Sequence, residues 1–338
     1  MFARVAVAVS SFTFAVGSAL GADLSGEGPP AIDEWRVPFE RARPRDPFAA
    51  SGETVWFVGQ GEGYLGRLDV ASGDISRIDV PEGESPHNLI VGSDGIVWYA
   101  GNVLGVIGRY DPRAGTLEQI PMPDERASNP HTLVFDEGEE NIWFTVQGGN
   151  FIGRLNVASR KVDLIPSKTP ESRPYGVKIG PKGAVWVALF GTNKLARVDP
   201  ETLALDEIEL PGEETRPRRL ETGADGRVWY VDYRGGVLGA YDPEEADFDV
   251  FDLPGGAGSR PYGTAMDATG RVWLVETGSS PNVLRAFDPQ TMSFVAEATI
   301  PSGGGTVRHM HYHAPTNAIW FGADEGTIGR ALAEVGAE

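Results

Sequence analysis

No cysteine occurs anywhere in the 338 residues, which excludes disulfides, thiolate catalysis and cysteine-bound metals. Histidine is scarce too, at five residues, so imidazole chemistry has few places to reside. Basic side chains number 29 against 48 acidic, a formal charge of −19. Such a surface repels nucleic acid and anionic lipid, and neither is expected as a partner. Beyond residue 22 no apolar run approaches the roughly 20 residues of a spanning helix, so no membrane span is expected. The one long apolar stretch stands at the start. Arg4 is its positive beginning, Val5 to Val16 its mostly apolar centre, and Ala19-Leu20-Gly21-Ala22 a small-residue cleavage region. Residues 1–22 therefore read as a secretory signal and 23–338 as one exported domain, periplasmic or secreted and monomeric. Without disulfides its core alone must hold it, which suits a large closed fold.

What the chain does have is a repeat. Seven of its eight tryptophans, Trp56, Trp98, Trp143, Trp186, Trp229, Trp273 and Trp320, are separated by 42, 45, 43, 43, 44 and 47 residues. That is the size of a four-stranded propeller blade. In most units an X-Pro pair opens a short apolar run, as in Pro86-His87-Asn88-Leu89-Ile90-Val91. A turn such as Ser93-Asp94-Gly95 follows, then a run carrying the Trp, then Ile107-Gly108-Arg109 or its equivalent, then a fourth run ending in Pro. These are the signals of strands joined by hairpins. The last unit stops after its third run, and Ile32-Asp33-Glu34-Trp35-Arg36-Val37-Pro38 has the pattern of the missing fourth. The expected fold is an all-β, seven-bladed β-propeller of four-stranded blades, its ring closed by the N-terminal strand pairing onto the last blade. Closure leaves no large open sheet edge.

The first strand of a blade lies nearest the propeller axis. Eleven residues before each Trp stand Arg45, His87, Tyr175, Arg218, Tyr262 and His309, with His131 in the third unit, whose turn is one residue longer. Two positions earlier stand Arg43, Ser85, Asn129, Arg173, Arg216, Arg260 and Val307. Residues two apart on a strand share a face, so these positions predict two nested rings around one central funnel. Arg173, Arg216, Arg218, Arg260 and Arg43 or Arg45 gather on one side, with His87, His131 and His309 across from them. A cationic mouth in an acidic protein focuses anions, and arginine matches planar carboxylates and phosphates through paired hydrogen bonds. The expected partner is a small anionic or carboxylated ligand bound by Arg45, His131, Arg173, Tyr175, Arg216, Arg218, Arg260 and Tyr262. Three residues after the Trp, only two units carry an acid, Asp232 and Glu276.

The unit with its Pro, Gly, Trp and Ile-Gly-Arg elements in register resembles the repeats of the streptogramin B lyase (virginiamycin B lyase) family, over about residues 31–332. That family opens a cyclic depsipeptide by elimination. It uses Mg²⁺, a Glu-x-His pair at a blade start, a Glu three residues after that blade's Trp, and a further His. The resemblance implies Glu276 and Asp232 as metal groups, with Glu276, His309 and His87 in catalytic roles and Mg²⁺ as cofactor. The pattern departs from the family's in residues. The unit of Glu276 opens Arg260-Pro261-Tyr262, that of Asp232 opens Arg216-Pro217-Arg218, and no unit with a starting His carries an acid at either matching position. An arginine in place of a metal carboxylate repels a dication.

His309, His311 and His313 alternate along one strand, a spacing at which two imidazoles can chelate a metal. No Gly-x-Ser-x-Gly, H-E-x-x-H, phosphate-loop or dinucleotide fingerprint is present. Two functions of different class lead: an exported metal-assisted lyase of anionic substrates, and a non-catalytic propeller binding an anion in its funnel or a protein on its rim; a metal-dependent lactonase-type propeller, to which only Asn129, Asp232 and Glu276 could contribute, ranks last. Loss of turnover in Glu276→Gln marks the first; loss of binding in Arg216→Ala or Arg260→Ala marks the second.

Overall fold

The computed structural model of the chain describes residues 29–334, so the segment read as a signal, 1–22, lies outside the described residues. Among the described residues, 28 strands form seven four-stranded antiparallel sheets. Six use consecutive strands, spanning 44–79, 86–121, 130–166, 174–209, 217–252 and 261–299, here blades 1 to 6. Blade 7 takes three strands from 307–332 and its fourth, Ile32–Arg36, from the other end of the chain. First strands of neighbouring blades touch around a closed ring. No helix among the described residues is long and apolar enough to cross a membrane.

The closing strand pairs with Thr327–Leu332 from Ile32 opposite Ala331 to Arg36 opposite Thr327. Trp35 stacks on Trp320, ring centroids 5.5 Å apart. The Glu34 carboxylate accepts hydrogen bonds from the Ser302 amide, the Ser302 hydroxyl and the Thr327 hydroxyl at 2.6–2.7 Å.

The core lies between blades. Trp98 and Ile107 of blade 2 pack with Leu133, Ile142 and Phe144 of blade 3; Trp320 and Ile328 of blade 7 pack with Val55 and Phe57 of blade 1. Each large side chain so buried contributes about 1.5–3 kcal/mol. The glycine of the Ile-Gly-Arg element has a steric cause. A Cβ on Gly153 would fall 2.1 Å from the Phe144 ring, which lies flat on the neighbouring strand, and Gly108 stands likewise under Tyr99. Blades 4 and 6 carry the smaller Val187 and Leu274 there, and the facing residues are Ala196 and Arg285. Arg285 becomes important below.

Every first strand slips register just after its start, as between Pro130 and Leu133 or Pro217 and Leu220. A bulge of this kind re-aims side chains. Here two consecutive residues, such as Arg218 and Arg219, both reach the axis. The residue before the proline bends into the left-handed region, with φ of 41° at Arg43, 51° at Arg173 and 46° at Arg260.

Blade 7 corrects the expected ring. Its first pairing is Val307 with Ala323, the equivalent of Pro261 with Glu276, because its hairpin, like that of blade 3, is one residue longer. Counting back from Trp320 without that residue lands on His309. The inner-ring position belongs to Arg308 and the outer one to Thr306, while His309 takes the second bulge position.

Candidate functional site

The first strands do not leave an open funnel: their bulge residues meet across the axis. Arg45 donates to Gln60 Oε1 at 2.7 Å and to Nε2 of His87 at 3.0 Å. A guanidinium only donates, so Nε2 of His87 accepts and its proton resides on Nδ1, which has no partner. His87 packs on His131 at 3.9 Å, His131 on Tyr175 at 4.0 Å, and the Tyr175 hydroxyl meets that of Tyr262, two blades away. These five side chains, each at most 7% exposed, plug the axis.

Below the plug lies Arg219, which sequence periodicity missed because the bulge turns two adjacent residues inward. It donates to the Thr132 hydroxyl at 3.0 Å and the Arg308 carbonyl at 3.1 Å, and stands 3.6 Å from Asp46. One side chain of blade 5 thus ties blades 1, 3 and 7. Asp46, itself missed, accepts from Asn88 at 2.9 Å and lies 3.8 Å from Arg45. A cavity of about 90 Å³ opens beneath, lined by Arg219, His309, Lys178, Glu221 and His311 among others, with room for several waters. His311 does not pair with His309 on a metal; it stacks on Phe48 at 4.1 Å.

Burial, reinforced by the guanidiniums of Arg45 for His87 and Arg219 for His131 and His309, holds these three imidazoles well below their usual pKa. All three are neutral at neutral pH. Burial alone would raise Tyr175, but Arg219, Arg218 and Arg45 outweigh it and lower its hydroxyl, while burial raises Tyr262.

Above the plug stands Arg218. Its guanidinium carbon lies 4.0 Å from the Tyr262 ring, 4.2 Å from Tyr233, 4.3 Å from Phe190 and 5.3 Å from Tyr175. Phe190 and Tyr233 sit in the turns that follow the Trp strands of blades 4 and 5, where alternation assigns no face, so the sequence did not reveal them. Arg219 and Arg308 have Asp46 and Asp324 within 4 Å; Arg218 has no acid among the described residues, and its Nε is buried without an acceptor. Four axial guanidiniums, of Arg45, Arg218, Arg219 and Arg308, thus face two carboxylates, and Asp324 is also shared with Arg43 at 3.5 Å.

The outer positions lie on the rim of the mouth. Arg173 and Arg260 are exposed. Arg216 is turned onto its own loop, donating to the carbonyls of Glu213 and Thr215 at 2.9 and 2.7 Å. Both acids expected to hold a metal are taken by the protein itself. Glu276, 2% exposed, is ion-paired with Arg285, whose Nε stands 2.9 Å from it and whose Nη2 donates to it at 3.4 Å, and it accepts from the Gly255 amide at 3.1 Å. Asp232 accepts the amides of Arg216 and Arg234 at 2.9 and 3.0 Å. Among the described residues no three of His, Asp and Glu gather to hold an ion. The side chains present do not fit Mg²⁺: each acid is already matched to donors, and the blade starts beside them supply Arg260 and Arg216 instead of ligands. Among the described residues, His87 and His309 have no carboxylate partner to orient them as bases.

The sequence model of the Virginiamycin B lyase family matches residues 160–335. No curated protein matches the chain in sequence. Among solved structures, a streptogramin B lyase superposes with a TM-score of 0.80 at 22% identity, covering 90% of this chain and 97% of that one. The virginiamycin B lyase of Staphylococcus aureus gives 0.80 at 20%, covering 90% and 99%. Kuenenia stuttgartiensis hydrazine synthase gives 0.71 at 13%, covering 87% and 96%. Identities this low carry the fold and no activity. The family match, spanning more than half of the chain, carries more: this protein belongs to the virginiamycin B lyase family.

Proposed function

We propose that the axial mouth binds an anionic, carboxylate-bearing ligand, with Arg218 as its principal partner. One observation carries the reading: Arg218 is a half-buried guanidinium whose carbon lies within 5.3 Å of four aromatic rings, with its Nε buried and no acid paired to it among the described residues. Rings that cover the faces of a guanidinium leave its N–H edge for hydrogen bonding, and a carboxylate fits that edge in a bidentate fashion. Arg45, Arg219 and Arg308 add positive potential from below, and the low dielectric of the plug strengthens it. An acidic outer surface around a cationic mouth steers anions to this one place.

The site is read as one for binding. The acids and imidazoles that a metal-assisted elimination would use are engaged elsewhere or lack orienting partners, so no catalytic step is assigned to them. The leader-like residues 1–22 support export, and an N-terminus beginning near residue 23 in protein recovered outside the cytoplasm is the corresponding check.

Thermal melting with acetate, citrate, phosphate and neutral controls tests the binding. An anion at 100 times its Kd adds about 2.7 kcal/mol of stability. The expected result is a rise with carboxylates that disappears in Arg218→Met, while the variant without ligand melts close to the parent. Equal rises in the two proteins would refute the assignment.

A further inference from the structure

The mouth is not uniform around the axis, and its asymmetry indicates what kind of acid it takes. Blades 4 to 6 present Arg173, Arg218 and Arg260, interleaved with Phe190 and Tyr233. No carboxylate lies within 4 Å of Arg173 or Arg260 among the described residues, and neither guanidinium has a hydrogen-bond partner there. In blades 1 to 3 the turns after the Trp strand carry amides, Gln60, Asn102 and Gln147, where blades 4 and 5 carry Phe190 and Tyr233, and the positions matching Arg173 are Arg43, which is paired with Asp324, Ser85 and Asn129.

Where the two halves meet, between blades 3 and 4, a shallow pocket of about 390 Å³ is lined by Asn129, Gln147, Gly148, Asn150, Glu171 and Arg173. It has no apolar side chain in its wall. Asn150 is spent on the protein, donating to Thr169 and accepting from Ser172. Asn129 uses only its Nδ2, on the Asn102 carbonyl, and leaves Oδ1 free. The Gln147 amide, the Glu171 carboxylate and the Arg173 guanidinium make no side-chain hydrogen bonds among the described residues. Free donors and acceptors of both kinds suit a ligand body rich in hydroxyls, with sugar hydroxyls donating to the Glu171 carboxylate and any acid of the ligand turned away from it towards Arg173.

We propose that the mouth recognises an acidic oligosaccharide, one sugar carboxylate on Arg218 and a neighbouring unit in the amide pocket with its acid towards Arg173. This rests on the carboxylate reading above and extends it from one charge to a series. Arg173 lies two residues before Tyr175, whose ring centroid is 5.3 Å from the Arg218 guanidinium carbon, so the two arginines open on the same mouth. Phe190 and Tyr233 are half-buried beside Arg218, so aromatic rings flank the carboxylate-binding position. An acidic peptide shares the charge but would leave the hydroxyl-matching amides without partners.

Calorimetric titration of the full-length mature protein tests this with tetramers of galacturonate, mannuronate, guluronate and glucuronate-containing units. Their monomers, a neutral tetramer and tetra-glutamate complete the panel. The expected result is at least one acidic tetramer bound ten-fold or more tighter than its monomer, with the neutral one silent. Arg173→Gly and Gln147→Ala should each weaken the tetramer several-fold and by more than they weaken the monomer, and Arg218→Met should remove both. No tetramer exceeding its monomer would overturn the oligosaccharide proposal while the carboxylate reading stands. Tetra-glutamate binding tighter than every sugar would overturn it in favour of a peptide. Silence from every carboxylate, monomers included, would bring down the underlying reading instead.

Discussion

His87, His131, His309 and His311 are four of the five histidines of the chain, and all are shifted the same way. Burial, aided by Arg45, Arg219 and Lys178, keeps the first three well below the usual 6.5 and brings His311 to about 3. The folded protein therefore holds these rings neutral where the unfolded chain takes up protons. Their contribution to stability is complete above pH 6.5 and is lost as pH falls below it, at up to about 1.4 kcal/mol per pH unit for each ring. Melting temperatures at pH 7.5, 6.5 and 5.5 should drop sharply in the last interval, before most carboxylates titrate. His131→Gln should lessen that drop, and a flat profile down to pH 5 would contradict the assignment. At this scale the sequence was a good guide to identity and a poor one to use. Glu276 stood where a metal ligand could stand, but its acid was already answered by Arg285. The hint lay in the sequence: the unit of Glu276 breaks the Ile-Gly-Arg element at Arg285, on the same strand face and within reach.

Strand order, hairpins and the interblade core followed from the Trp period and the turn residues, because each rests on local chemistry repeated seven times. The bulge was hidden. It occurs in the innermost strand of every blade, including blade 7, which begins with Val307 instead of proline, and it converts alternation into two adjacent inward residues. Asp46 and Arg219 were invisible for that reason, and the longer hairpin of blade 7 displaced Arg308 from its ring position. The Ile-Gly-Arg element, by contrast, can be tested directly. Gly153→Ala places a methyl 2.1 Å from the Phe144 ring, and an overpacked site of this kind loses about 1–3 kcal/mol. Ala196 already occupies the same slot against Val187 in blade 4. Urea denaturation should therefore show Gly153→Ala to be clearly destabilised and the double variant Gly153→Ala/Phe144→Val to recover part of the loss. Additive losses would reject the steric account.

Across the whole molecule, the ring is a shell of interblade cores around a polar axis, and only one blade is assembled from both ends of the chain. Its two outer strands set Ile32 beside Ala331, so the first and last strands of the described residues lie side by side. A short peptide linker could join them, and the chain could be reopened between any two blades. Such a circular permutant, cut between Thr299 and Val307, would keep every blade intact yet lose the shared sheet, leaving side-chain packing alone to hold its seam. It should fold to the same ring and unfold at lower denaturant than the parent. The difference between the two midpoints would isolate what sewing the circle with backbone hydrogen bonds adds to its endurance. For the same reason, a domain fused at either end would be displayed at one common point on the circumference, away from the mouth.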